Sequence, residues 1–400
     1  MSSAVAATVP VSTVDPFDEE FLANPYDGHA ELRDAGPVVL LERYGVYAMA
    51  RHEQVNAALR DSQIYCSRFG VGITDFSRER PWRPPSLLLE ADPPEHTAAR
   101  RAITAVLSPR VVKELRATFE SEAEALIERL VAIGEIDGMA DLATAFPMKV
   151  MPDQIGVPAQ GREHLLPYGT MVFNGFGPPN RLFEEAISKG EAVRAWIAAC
   201  TRRENLEPGR LGMQIHDAAA ADGFSEQEGE LIVRSVLSAG IDTTVHGIGN
   251  ALLCFSREPA QWQLLREDSG LARQAFEEVI RFESPVQTFF RTTTERVTVA
   301  GATLPAGAKV LLFLGAANRD PRRWANADRF EIKRAASGHV GFGSGIHACV
   351  GQMVARLEGE VVLRALAKRV AALEPAGEPT RLLNNTLRGL RALPLTLRAA

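Results

Sequence analysis

Ten residues, Phe342-Gly-Ser-Gly-Ile-His-Ala-Cys-Val-Gly351, place the chain's most reactive kind of side chain in a purposeful setting. Cys349 carries a thiol whose deprotonated form is a nucleophile and a soft metal ligand. Gly343 and Gly345 let the backbone turn tightly and approach a flat ligand closely. A helical pattern from Val350 to Arg369 begins right after the cysteine, so backbone N–H groups and the helix dipole would stabilise a thiolate. A lone cysteine is more often a small buried apolar residue. The glycines and the histidine around this one argue for a ligand.

A second constellation, Ala239-Gly-Ile-Asp-Thr-Thr244, interrupts the apolar periodicity of residues 229–257. That run would be roughly 44 Å long as one helix at ~1.5 Å per residue. A glycine, an aspartate and two threonines are poor choices for a helix interior. Such a violation inside a consistent helix marks a functional groove.

The elements that must position these residues are mostly helical. Residues 111–133 and 225–257 show helical periodicity. Val38–Leu41 and Val46–Met49 flank a short turn and are expected to pair as a hairpin. Val297–Ala300 and Lys309–Leu314, either side of Pro305 and Gly307, are expected to do the same. Residues 382–397 return to short strand-like pieces. The segment Pro81–Pro94 is proline-rich but carries Trp82 and three leucines, so an ordered loop over a pocket is expected rather than a linker. Residues 174–180, with Phe173 and Phe176, read as a mobile lid or as a surface turn anchored by its rings.

The chain's 400 residues, 46% of them hydrophobic, can bury a large core. The motifs converge on one site, so residues 15–400 are expected to form a single catalytic domain, with residues 1–14 a disordered lead-in. A net charge of −6 argues against a nucleic-acid-coating surface. No apolar run reaches the ~18 residues a membrane helix needs. Four cysteines without CxxC spacing exclude a zinc ribbon and argue against a disulfide framework, which leaves the cytoplasm as the expected compartment.

Residues 342–351 match the haem-binding signature F-G-x-G-x-H-x-C-x-G at every fixed position, and the chain resembles the cytochrome P450 superfamily on it. The notch fits that family's (A/G)-G-x-(D/E)-T-(T/S). Glu278-Val-Ile-Arg281, the Asn318–Trp324 stretch with Asp328–Phe330, and His96-Thr-Ala-Ala-Arg100 follow in family order, from about Asp15 to Leu397. The resemblance implies a mainly α fold with small β-sheets and a b-type haem held by Cys349. Phe342 would shield the sulfur, and His96, Arg100, Arg291 and His347 would bind the propionates. Asp242 and Thr243 would deliver the protons that oxygen activation requires, and Glu278–Arg281 would lock the core. O₂ would be the oxidant. An iron–sulfur ferredoxin and its NAD(P)H-dependent reductase would supply electrons, with Arg110, Lys113 and Arg356 steering the acidic partner.

A closer resemblance is to the bacterial para-methoxybenzoate O-demethylating cytochromes P450. It rests on Arg68–Gly72, Trp82–Ser86, Phe173–Asn180, Leu231–Thr244 and Ser284–Thr294. It implies that Arg83, Ser86, Arg234 and Ser235 handle a benzoate carboxylate. Phe173, Phe176, Phe289, Leu89 and Val286 would enclose the ring, with Ala239 leaving it room. Ser235, Ala239 and Thr243 recur every four residues, which puts them near one helix face. The alternatives are a monooxygenase acting on another small aromatic or terpenoid, a peroxide-driven haem-thiolate enzyme and a haem-thiolate sensor. The Asp242–Thr243 pair disfavours the second, and the lack of a partner-binding or DNA-binding module disfavours the third.

Overall fold

Val39–Leu41 and Val46–Met49 pair antiparallel as their alternation requires, and they seed a six-stranded sheet. The computed structural model describes residues 9–188 and 190–400. The sheet runs Val11–Ser12, Val39–Leu41, Val46–Met49, Lys309–Phe313, Thr288–Thr293, Tyr65–Cys66. The expected disordered lead-in is therefore too long, because Val11 and Ser12 add a parallel strand beside Leu40 and Leu41. Its first eight residues lie outside the described ones.

The expected second hairpin does not form. Val297–Val299 pairs instead with Ala302–Leu304, around Ala300 and Gly301, which both have positive φ. Two residues at positive φ close a tight hairpin whose twist matches its strands. Lys309–Phe313 is buried throughout, so it needs neighbours on both edges. It finds Val46–Met49 on one side, parallel, and Thr288–Thr293 on the other, antiparallel. Leu314 opens a short helix rather than closing the strand.

Helices form the rest of the mainly α architecture, and none among the described residues is long and apolar enough to cross a membrane. Ser108 caps the Pro109–Ile133 helix, and this helix packs on Gln352–Arg369, the helix that follows Cys349. Ser225 and Glu228 form a capping box at the start of Glu226–Gly240. The expected single long helix is two. It breaks at Ile241 and resumes as Asp242–Arg257. The hydroxyls of Thr243 and Thr244 donate to the carbonyls of Ala239 (2.8 Å) and Gly240 (3.1 Å), supplying the donors this turn lacks.

A buried network braces the site from behind. Glu278 and Arg281, both fully buried, form a two-bond pair at 2.7 and 2.8 Å. Arg281 also donates to the carbonyls of Asn318, Ala327 and Arg329, and Glu278 accepts from Arg334 and the Glu331 N–H. A pair on one helix thus fastens the long irregular stretch that leads to Cys349.

Candidate active site

Cys349 sits on the last turn before its helix, which starts at Gln352 rather than directly after the cysteine. Gly343 and Gly345 have φ of 69° and 68°, the left-handed region that glycine enters without strain. At Gly345 a methyl group would also fall 2.6 Å from the Leu59 carbonyl oxygen. The Cys349 N–H donates to the Phe342 carbonyl at 2.8 Å, which closes the loop on itself. Burial prevails and holds the thiol above its usual range, against the opposing pull of the Gly351 and Gln352 N–H groups and the cations Arg100 and Arg356. Those groups are the donors a metal-bound thiolate would use.

One cavity runs from this turn to the opposite wall. Cys349, Phe342, Gly343, His347, Arg100 and Arg291 line it on one side. Phe289 and Arg291 are alternate residues of Thr288–Thr293, so both face the cavity while Phe290 packs behind. Arg291 is 2% exposed and bonds only the Phe290 carbonyl, and burial brings its guanidinium down to about 10. Arg100 bonds the Ala348 carbonyl. His96 lies against His347, ring centroids 4.4 Å apart, and its buried Nε2 has no partner. His347 is held by the Ser67 hydroxyl and the Leu88 carbonyl, and burial takes its ring down to about 2, hence neutral. The unpartnered His96 Nε2 and two guanidiniums free of carboxylate partners among the described residues suit a dianionic planar group beside the cysteine, whereas His347 has both ring nitrogens engaged and no free N–H to offer it.

Across from the thiol lies the notch. Thr243, Thr244, Ala239 and Gly240 line the cavity and Asp242 does not. Asp242 is buried behind the wall against the Leu165–Asn174 helix, where a methyl on Gly169 would lie 2.1 Å from Oδ2. Burial holds its carboxyl well above the usual range. One acid went unforeseen: Glu358 also lines the cavity, 1% exposed, its Oε2 unbonded and its pKa raised by burial. The clue was present, since it lies on the stripe Val354, Leu357, Val361, where an acid is out of place.

All ten residues expected to surround a ligand line this same cavity. The Pro81–Pro94 loop is ordered, as expected, but its arginine has an unforeseen partner. Arg83 pairs with Glu90 through 2.9 and 3.1 Å bonds, the two side chains 9% and 2% exposed. Its charge is thus already compensated. Arg234 donates to the Pro84 carbonyl at 2.8 Å and pairs with no carboxylate among the described residues. The Ser86 and Ser235 hydroxyls meet at 2.9 Å, and Ser235 also donates to the Leu231 carbonyl. Residues 174–180 form an anchored turn: Asn385 bonds Asn174 and Asn180 from the far end of the chain. Phe176 there packs on Phe289 at 5.7 Å and Phe173 at 5.9 Å. Arg356 is a correction among the steering cations, because it pairs with Glu277 and covers the Phe342 ring at 4.5 Å. Arg110 is exposed but paired with Glu114, and Lys113 is exposed.

The cytochrome P450 family model matches residues 202–390. A protein described as cytochrome p450 CYP199A2 of Rhodopseudomonas palustris is 54% identical over 98% of this chain and 96% of its own length. Cytochrome P450 107B1 of Saccharopolyspora erythraea is 33% identical over 95% of this chain and 96% of its own. The solved structure of CYP109Q5 from Chondromyces apiculatus superposes with a TM-score of 0.81 at 29% identity, covering 97% of this chain and 98% of that one. A thiolate turn facing a polar helix break across a buried cavity defines a haem-thiolate monooxygenase, and the chain belongs to the cytochrome P450 family. Its cofactor is haem b with a cysteine thiolate as axial ligand, which the donor set described above fits.

Proposed function

We propose that this monooxygenase oxidises para-substituted benzoates, and that its typical reaction is O-demethylation of para-methoxybenzoate. The observation that carries this reading is the polar end of the cavity. Glu90 cancels Arg83, which leaves the buried Arg234 charge beside two hydroxyls. Burying a carboxylate without partners costs several kcal/mol, and a neutral ligand would leave this end unused. On binding, the Ser86 and Ser235 hydroxyls turn from each other and from the Leu231 carbonyl to donate to the carboxylate, each such hydrogen bond worth ~1.5–3 kcal/mol before the loss of those partners. Phe173, Phe176 and Phe289 hold the ring, while Leu89, Val286 and Ala239 shape the space around it.

At helical rise, with the break at Ile241 between them, Ser235 and Thr243 would be about 12 Å apart along the axis. That is close to the span from anchored carboxylate to para substituent. Haem held by Cys349 would supply oxygen activation, and O₂ with two electrons and two protons would hydroxylate the methoxy carbon and release water. The resulting hemiacetal collapses to formaldehyde and para-hydroxybenzoate. Electrons come from an iron–sulfur ferredoxin and its NAD(P)H-dependent reductase, with Lys113 and Arg110 on the docking face, and the enzyme works in the cytoplasm.

Titrating the haem Soret band tests the anchor. Para-methoxybenzyl alcohol should bind at least about tenfold more weakly than the acid. Meta-methoxybenzoate should bind yet release little formaldehyde. Ser235→Ala should weaken the acid and leave the alcohol unchanged. Equal affinity for acid and alcohol would remove the anionic anchor.

A further inference from the structure

Lys309 takes no part in the cavity lining, yet its buried ammonium is heavily bonded. It stands at the start of the Lys309–Phe313 strand, 9% exposed. Its Nζ donates to four backbone carbonyls: Phe69 at 2.8 Å, Gly70 at 3.0 Å, Gly72 at 3.2 Å and Thr74 at 3.0 Å. Among the described residues no carboxylate pairs with it. Asp75, the acid that most favours its charge, is committed to the N–H and hydroxyl of Ser77. An ammonium with three protons ringed by four oxygens is in the position of a monovalent cation in a carbonyl cage. A buried carbonyl turned away from backbone partners needs such a donor, and here one side chain satisfies a whole loop.

That loop reaches the ligand site in two places. The Phe290 N–H donates to the Val71 carbonyl at 2.9 Å, next to cavity-lining Phe289 and Arg291. The Ile73 N–H donates to the Phe176 carbonyl at 2.8 Å. Gly72 lies so close that a methyl there would sit 2.7 Å from the Phe176 Cα. The Phe176 ring is the one that meets both Phe173 and Phe289 in the cavity.

We propose that Lys309 is a positioning residue of the ligand site: its ammonium serves as a built-in cation that curls residues 69–74 and thereby sets the Phe176 ring against Phe289. Removing the charge frees the carbonyls to turn outward, and the aromatic wall loses its backing. Nothing in this depends on the ligand being a benzoate.

The test therefore uses carboxylate-free probes on the haem-loaded protein. 4-Phenylimidazole ligates the iron and needs the aromatic wall, whereas imidazole ligates it and does not. Lys309→Met, which keeps the length and loses the charge, should lower 4-phenylimidazole affinity about tenfold and leave imidazole within about twofold. Amide exchange at Ile73 should accelerate in the same variant. Lys309→Ala empties the cage, so potassium or ammonium ions should restore 4-phenylimidazole affinity and tetramethylammonium at equal ionic strength should not. Unchanged 4-phenylimidazole affinity in Lys309→Met, an equal loss for both probes, or an Ala variant indifferent to the cation would each overturn the proposal.

Discussion

Glu358 illustrates what a single buried acid costs. Its carboxyl is 1% exposed, one oxygen has no partner, and burial raises its pKa well above the usual carboxylate value. The folded protein therefore holds this proton to higher pH than the unfolded chain does. Stability then falls as pH rises from the ordinary carboxylate range toward the folded pKa, by ~1.4 kcal/mol per pH unit crossed. Glu358→Gln removes this proton linkage. The variant should match the parent near about pH 4 and gain stability relative to it as pH rises above the ordinary carboxylate range. Urea midpoints of the haem-loaded proteins across that range measure it, and a difference independent of pH would refute it. Partnerships of single residues are what the sequence hides most. Cys349 and its glycines declare themselves by type and spacing. Arg83 gives no sign that Glu90 will neutralise it, because that pairing depends on how a proline-rich loop folds back.

The broken helix shows an element whose disorder was legible and whose shape was not. Gly240, Asp242 and the two threonines mark the position, yet the periodicity on both sides continues as though unbroken. Only the side-chain bonds to Ala239 and Gly240 reveal that the hydroxyls have taken over from backbone donors. Thr243→Ala strips that hydroxyl from the cavity wall without touching the carboxylate end. Ligand-induced Soret shifts should stay within about twofold, while product formed per NAD(P)H oxidised should drop about tenfold. The missing equivalents should appear as hydrogen peroxide, and Thr243→Ser should recover most of the yield. A ratio unaffected by the Ala substitution would remove Thr243 from proton handling. The misjudged second hairpin has a related cause. Lys309–Phe313 carries a continuous apolar run, which says that a strand is buried but not which neighbours bury it.

Across the whole molecule, the cavity is assembled from residues as distant as Arg83 and Glu358, so it exists only once the irregular stretch before Cys349 is fixed. The Glu278–Arg281 pair does that fixing from a site with no exposure. Glu278→Ala would strand the Arg281 guanidinium, fully buried, and deprive Arg334 of a partner. Breaking one side of such a pair costs ~3–5 kcal/mol, a large share of a protein's net stability. The urea midpoint should fall accordingly, with haem lost in the same transition, and a wild-type midpoint would count against the network. Ligand binding has its own long-range geometry. Ser86 belongs to the Pro81–Pro94 loop and Ser235 to the Glu226–Gly240 helix, and their hydroxyls join the two at 2.9 Å. On the proposed reading, a carboxylate gripped by both would straddle that seam. Its departure and the parting of loop from helix would then be a single event, and the ligand's residence time would follow how often the loop opens.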